Sequence, residues 1–138
     1  MNKQLGYRGY IGSRPYRGQN TPQHVQNLVI RDFCQRHEYP YLLSATEYHM
    51  DGCYIMLEEV LRELSSVQGI VMYSIFMLPQ NQKRRLACIQ SIFKAGCTLH
   101  GAVENISISN LEDLEHLEEL LGIHHITQNR QIDLGAFL

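Results

Sequence analysis

The chain has 138 residues, 44% of them hydrophobic and 19% charged, with a formal net charge of −2. That is the length of one compact domain, able to bury roughly two-thirds of its unfolded surface without disulfide or metal staples. No apolar run approaches the ~20 residues of a membrane helix, Met1-Asn2-Lys3-Gln4-Leu5 lacks the apolar stretch of a signal peptide, and the charge balance is not that of a uniformly basic nucleic-acid binder.

Short apolar runs alternate with longer helical patterns. Gly9-Tyr10-Ile11-Gly12-Ser13 reads as a first strand, running into Arg14-Pro15-Tyr16-Arg17-Gly18-Gln19-Asn20, a loop of turn residues. Thr21-Pro22 starts a helix: Thr21 is the expected cap, and proline at the first helical position loses nothing by lacking an N–H. Val25, Leu28, Val29 and Phe33 make its apolar face, to about Arg36. Tyr41-Leu42-Leu43-Ser44-Ala45 is the second strand, and residues 46–52 form a loop. A second helix is expected over Cys53 to Leu64, with Leu57, Val60, Leu61 and Leu64 inward. Gly69-Ile70-Val71-Met72-Tyr73 is almost continuously apolar, as a strand buried on both faces should be. A third helix runs from about Asn81 to Ala95, with Leu86, Ile89 and Phe93 inward and Gly96 as its stop. Thr98 to Val103 is the fourth strand. Ser109 or Asn110 caps a fourth helix, whose Leu111, Leu114, Leu117 and Leu121 stand above an acidic face.

Strand and helix thus alternate four times, the order of a mainly parallel sheet covered by helices on both faces. The expected organisation is a single α/β domain over 1–122, with a tail, 123–138, docking on the domain or on a partner subunit. The four cysteines, at 34, 53, 88 and 97, show no C-x-x-C spacing and read as small buried hydrophobes in a reducing cytoplasm. Charge is uneven. Residues 1–36 carry six cations against Asp32 alone, a net +5, and residues 104–122 carry six carboxylates with no Lys or Arg. Together with the apolar Leu134-Gly135-Ala136-Phe137-Leu138, that asymmetry points to a homo-oligomer.

Ligands of open parallel sheets sit beyond the carboxyl ends of the strands. That rule selects Ser13 and Arg14, then Ser44, Thr46, Glu47, Tyr48 and His49, then Tyr73 and Ser74, then Glu104 and Asn105. A helix N-terminus at Pro22 favours an anion there, and Arg14 and Arg17 lie in the loop leading to it. Glu47, His49, Glu104 and Ser13 are the catalytic candidates, as acid–base groups and nucleophile. Arg8, Tyr10, Arg14, Arg17, Gln23, Asn27, Arg31, Tyr48, Tyr73, Ser74 and Asn105 are the candidate substrate contacts. No metal and no cofactor is expected: Glu47-x-His49 is only two ligands, and His124-His125 has no partner at ligand spacing.

Two resemblances are visible. Residues 6–15 (GYRGYIGSRP), 21–32 (TPQHVQNLVIRD) and 42–48 (LLSATEY), Tyr73-Ser74 with Leu78-Pro79, and Ala102-Val103-Glu104-Asn105 resemble the sporadic carbohydrate cluster protein family. This implies a bacterial cytoplasmic protein encoded among genes for surface polysaccharide or O-antigen synthesis. The family's runs fall mainly on the rim selected above. More loosely, the short first strand ending in Ser13-Arg14, the helix with glutamine near its start, and Arg31-Asp32-Phe33-Cys34 are similar to the catalytic domain of serine recombinases. That resemblance implies a three-layer α/β/α sandwich around a four- or five-stranded sheet, with the 2-1-3-4 strand order of resolvase-like or flavodoxin-like folds.

The recombinase site needs a tyrosine-x-arginine-x-serine run on the first strand and arginines after the third. Here Gly12 stands in the arginine place and Arg14 in the serine place, and Ser74-Ile75-Phe76-Met77-Leu78-Pro79 holds no arginine. The fold is therefore expected without the phosphodiester chemistry, which needs several cations, and nucleic acid and membrane are not expected partners. The resulting expectation is an enzyme or enzyme subunit of surface-polysaccharide synthesis that binds an anionic sugar, as a sugar phosphate or nucleotide sugar. The alternatives are a non-catalytic binding or scaffolding subunit of that pathway and a recombinase-related DNA-acting protein.

Overall fold

The structure, a computed structural model, describes residues 6–13, 21–48 and 54–122. In chain order the described elements are β1 (Tyr7–Gly12), α1 (Gln23–Arg36), β2 (Tyr41–Glu47), α2 (Ile55–Arg62), β3 (Gly69–Met72), α3 (Gln82–Lys94), β4 (Thr98–Gly101), β5 (Ile106–Ile108) and α4, over 111–122. They form a five-stranded sheet of order β2-β1-β3-β4-β5. β1 pairs in parallel with β2 and β3, and β3 with β4. Four residues join β4 to β5, too few for a parallel crossover, so β5 closes an antiparallel hairpin. The expected α/β class and the 2-1-3-4 order are both found. The chain divides into two compact units, Met1–Ser107 and Ile108–Leu138.

The side-chain alternation of a strand sorts the core into two faces. Ile11, Val71 and Ala102 pack with Ile30, Phe33 and Cys34 of α1. Tyr10, Ile70, Met72 and Leu99 point the other way, where Leu57 and Val60 of α2 and Ile89 and Ile92 of α3 are also buried. α1 does not use the expected Thr21 cap: Pro22 occupies the capping position, without a side-chain bond. Burial of Ile30 and Phe33, both 0% exposed, holds it instead. Those two side chains contribute about 3–6 kcal/mol, more than the ~1 kcal/mol a good cap supplies. α3 does carry a cap, Asn81 Oδ1 accepting from Arg84 N, and Gly96 ends it at φ 74°.

Several element bounds need correction: β1 runs over Tyr7–Gly12 instead of Gly9–Ser13, and β3 ends at Met72 instead of Tyr73. The second helix is shorter than 53–64: it ends at Arg62, and a separate 3₁₀ turn covers Leu64–Ser66. β4 stops at Gly101 rather than Val103, because the chain turns through Asn105 at φ 52° into a strand that the sequence did not announce. β2 extends to Glu47, two residues past Ala45, since its last residues still pair with Ile11 and Gly12. At Gly69 the sheet is so close that a Cβ would lie 2.5 Å from the Thr98 carbonyl and 2.9 Å from the Tyr7 ring, so only glycine fits. In the second unit, Asn110 Oδ1 accepts from Asp113 N at the start of α4, Asp113 Oδ2 accepts from the Ser109 N–H and hydroxyl, and Leu117 is fully buried.

Candidate functional site

The chain order of the strands reverses between β1 and β3, which places the favoured ligand position at their carboxyl ends. Of the described predicted site residues, Ser13, Glu47, Tyr48, Tyr73 and Ser74 stand at the carboxyl ends of β1, β2 and β3, and Glu104 and Asn105 on the turn after β4. Ser13 is half-buried, and both its N–H and its hydroxyl donate to the Glu47 carbonyl, at 2.9 and 3.3 Å. Tyr73 N donates to the Tyr10 carbonyl, and its phenol reaches Thr21 Oγ1 at 3.4 Å. Tyr48, 67% exposed, follows β2 directly, and Gln23 is exposed in the first turn of α1.

The carboxylates at this rim face inward. Glu47 is 1% exposed. Its Oε1 accepts from the Tyr10 hydroxyl at 2.9 Å and from Leu57 N at 3.1 Å, and its Oε2 from Met56 N at 3.0 Å. A carboxylate thus caps the free N–H groups of α2 from a neighbouring strand, where the helix dipole also favours it. Glu104 accepts the Ser74 hydroxyl at 2.7 Å and Ile75 N at 2.8 Å, and Ser74, 0% exposed, accepts in turn from Phe76 N. Glu104 therefore pins the β4–β5 turn to the chain leaving β3.

The predicted cations and amides go elsewhere. Arg8 donates from Nε to Glu63 Oε2 at 3.0 Å and from Nη1 to the Leu43 carbonyl, tying β1 to the end of α2 and to the β2 bulge. Tyr10 is fully buried beside Glu47, on the α2 face. Asn27 accepts from the Tyr41 phenol and the Arg31 guanidinium lies over the Tyr41 ring, so both attend the first residue of β2, its amino end. Asn105 accepts from His37 Nε2, at the far end of α1 from Ser13. These positions correct the expected common crevice: neither Arg8, Asn27, Arg31 nor Asn105 converges on the rim. Arg14, Arg17 and His49 lie outside the described residues.

Two groups of consequence carry no motif. Gln26 is 4% exposed and closes the β1–α1 connection: its Oε1 accepts from Gly12 N, and its Nε2 donates to the carbonyls of Gly12 and Thr21, at 3.0, 2.7 and 2.8 Å. His100, on β4, is 2% exposed. It shares hydrogen bonds with Thr98 Oγ1 through Nε2 and with Ser107 Oγ through Nδ1, both at 2.8 Å. The rings of Tyr7, Phe33 and Tyr39 surround it at 5.2–5.7 Å between centroids. Burial, with His37 adding to it, pushes the His100 imidazole down to about 4. Burial, then Tyr39, raises the Tyr7 phenol. The thiols of Cys34, Cys88 and Cys97 are buried and in no disulfide among the described residues, and burial raises Cys34 to about 11; Cys53 lies outside the described residues. Among the described residues no three His, Cys, Asp or Glu side chains stand where they can share a metal ion, and no helix is long and apolar enough to cross a membrane.

No protein-family model matches the chain, and no curated protein matches it. Among solved structures it is similar to the crystal structure of a resolvase family site-specific recombinase from Streptococcus pneumoniae, with a TM-score of 0.61 and 14% identity, over 95% of this chain and 96% of that one. This finding overturns the expected partners. The fold occurs in a protein named for recombination, so missing arginines and a near-neutral charge do not exclude nucleic acid. The anionic sugar or nucleotide sugar is withdrawn as well, because the described cations meant to hold it are turned away from the rim. The expected homo-oligomer, read from the charge asymmetry and the apolar tail, is not touched by this likeness, and the tail at 123–138 lies outside the described residues. At 14% identity the likeness is one of fold alone, and the chain has the resolvase-like α/β fold.

Proposed function

We propose that the chain is a non-catalytic subunit of bacterial surface-polysaccharide synthesis, O-antigen or capsule, that binds or scaffolds other components of the pathway in the cytoplasm. The pathway rests on the resemblance of residues 6–15, 21–32 and 42–48 to the sporadic carbohydrate cluster family, which no family model supports. One observation supports the non-catalytic role: the two described acid–base candidates, Glu47 and Glu104, hold helix and turn N–H groups, and the Ser74 hydroxyl is bound to Glu104 inside the protein. A general acid or nucleophile must reach substrate, and these carboxylates are directed at the protein's own N–H and hydroxyl groups.

Deletion of the gene in its host is expected to shorten or abolish the surface polysaccharide, read on a gel of extracted glycan. Complementation with Ser13→Ala or Glu104→Gln, checked for folding by circular dichroism, is expected to restore it. An unchanged glycan after deletion overturns the pathway; folded variants that fail to complement restore the enzyme reading. The recombinase-like fold favours a second reading, in which the chain meets nucleic acid. Purified protein that retards duplex DNA at low salt, with binding that falls steeply as salt rises, supports that reading.

A further inference from the structure

We propose that the β4–β5 hairpin is an acid-released element: His100 ties Ser107 to the sheet while its ring is neutral and lets it go when the ring takes a proton. The geometry carries this. His100 links Thr98 on its own strand to Ser107 on β5, and two hydroxyls suit a neutral imidazole in either tautomer, one donating and one accepting. A protonated ring can still donate to both oxygens, so release is not driven by a mismatch of donors and acceptors. What fails is the burial of a charge at 2% exposure, without a compensating partner.

The groups facing the ring come from every element around it. They are Tyr7 of β1, Phe33 of α1, His37 at its end, Tyr39 before β2, Thr98 of β4 and Ser107 of β5. His37 is the one among them that can become a cation, and it opposes a second positive charge; none is a carboxylate. Tyr7 is itself engaged with Thr98 and stacked on Tyr39 at 4.1 Å. The side open to relief is β5, three residues long and at the edge of the sheet. Its turn is held by the exposed His37–Asn105 bond and, towards the chain leaving β3, by Glu104, so release concerns β5 itself and leaves the Glu104 anchor in place.

The sign follows from proton binding. The ring binds its proton with a value of about 4 when closed in and near 6.5 when released, so the closed form is fully favoured above pH 6.5 and loses ground as pH falls towards 4. At pH 4 the opening equilibrium should have risen on the order of 100-fold. Amide hydrogen exchange, corrected for intrinsic rates, reads this over β5, at whichever of Ile106–Ile108 is protected at neutral pH, with Val71 of β3 as the internal reference. Expected is a 30- to 100-fold loss of protection over β5 between pH 6.5 and 4, with Val71 unaffected. In His100→Gln, which does not titrate, the step should vanish. Should that variant fail to fold, the C2 proton of His100 in the unaltered chain gives the same answer: its titration must fall with the exchange step, well below pH 6. Constant protection over β5, a step that survives in His100→Gln, or an ordinary histidine titration overturns the proposal.

Discussion

Glu47→Ala is expected to destabilise the protein by about 3–4 kcal/mol, seen as a lower midpoint of urea unfolding with an unchanged slope. The substitution removes the shared acceptor of three donors: the buried Tyr10 hydroxyl and Leu57 N–H and the part-buried Met56 N–H. Each donor deprived of its acceptor costs about 1–3 kcal/mol, and water entering the space left behind holds the total to the low end of the sum over three. Glu47→Gln keeps one acceptor oxygen and the side-chain volume, so its loss should be about 1–2 kcal/mol. The comparison separates a structural from a catalytic carboxylate. Active-site acids are commonly held at some cost to the fold, and removing one tends to leave stability unchanged or raised. An unchanged midpoint in Glu47→Ala would return Glu47 to the list of chemical groups.

The same residue shows what was legible in the chain. Its position at the carboxyl end of the second strand followed from the alternation of apolar runs and helical patterns. Its partners did not. They lie nine and ten residues on, at the start of a helix whose own capping residue, Tyr54, offers its side chain to none of the helix N–H groups. A cap supplied from another element leaves no local signature, since helix-start signals in sequence rely on the residue next to the helix. Arg8 and Tyr10 teach a different lesson. Strand alternation puts residues 8 and 10 on the face opposite Ile11, towards α2, and that period of two was enough to remove both from the rim had it been applied to β1. Asn27, Arg31 and Asn105 were assigned to the rim from element order or helix spacing, whereas contacts with Tyr41 and His37 decide where their side chains point. β5 escaped because three residues, Ile106-Ser107-Ile108, are too short to show a period; only its pairing with β4 defines it.

Gln26→Leu should cost about 3 kcal/mol and should loosen one place in particular. The glutamine imitates a neighbouring strand, with one acceptor and one donor to the N–H and carbonyl of Gly12 and a second donation to the carbonyl of Thr21. Leucine conserves volume but presents neither group, so the Gly12 N–H and two carbonyls lose their partners at a site only 4% exposed. Gln26→Glu is the discriminating companion. It retains the acceptor for Gly12 N and sets a carboxylate against the two carbonyl oxygens, so it should be as damaging as leucine at pH 7 and recover part of the loss once protonated. Amide exchange at Gly12 distinguishes the two: fast in Gln26→Leu, still slow in Gln26→Glu. The measurement bears on function because Gly12 and Thr21 are the last described residues but one and the first on either side of the β1–α1 connection, at the strand end where this fold places its ligands. A stability loss with Gly12 still protected in Gln26→Leu would mean that the end of β1 is held by its pairing with β2 alone, through the Gly12–Glu47 register, and that the glutamine only fills space.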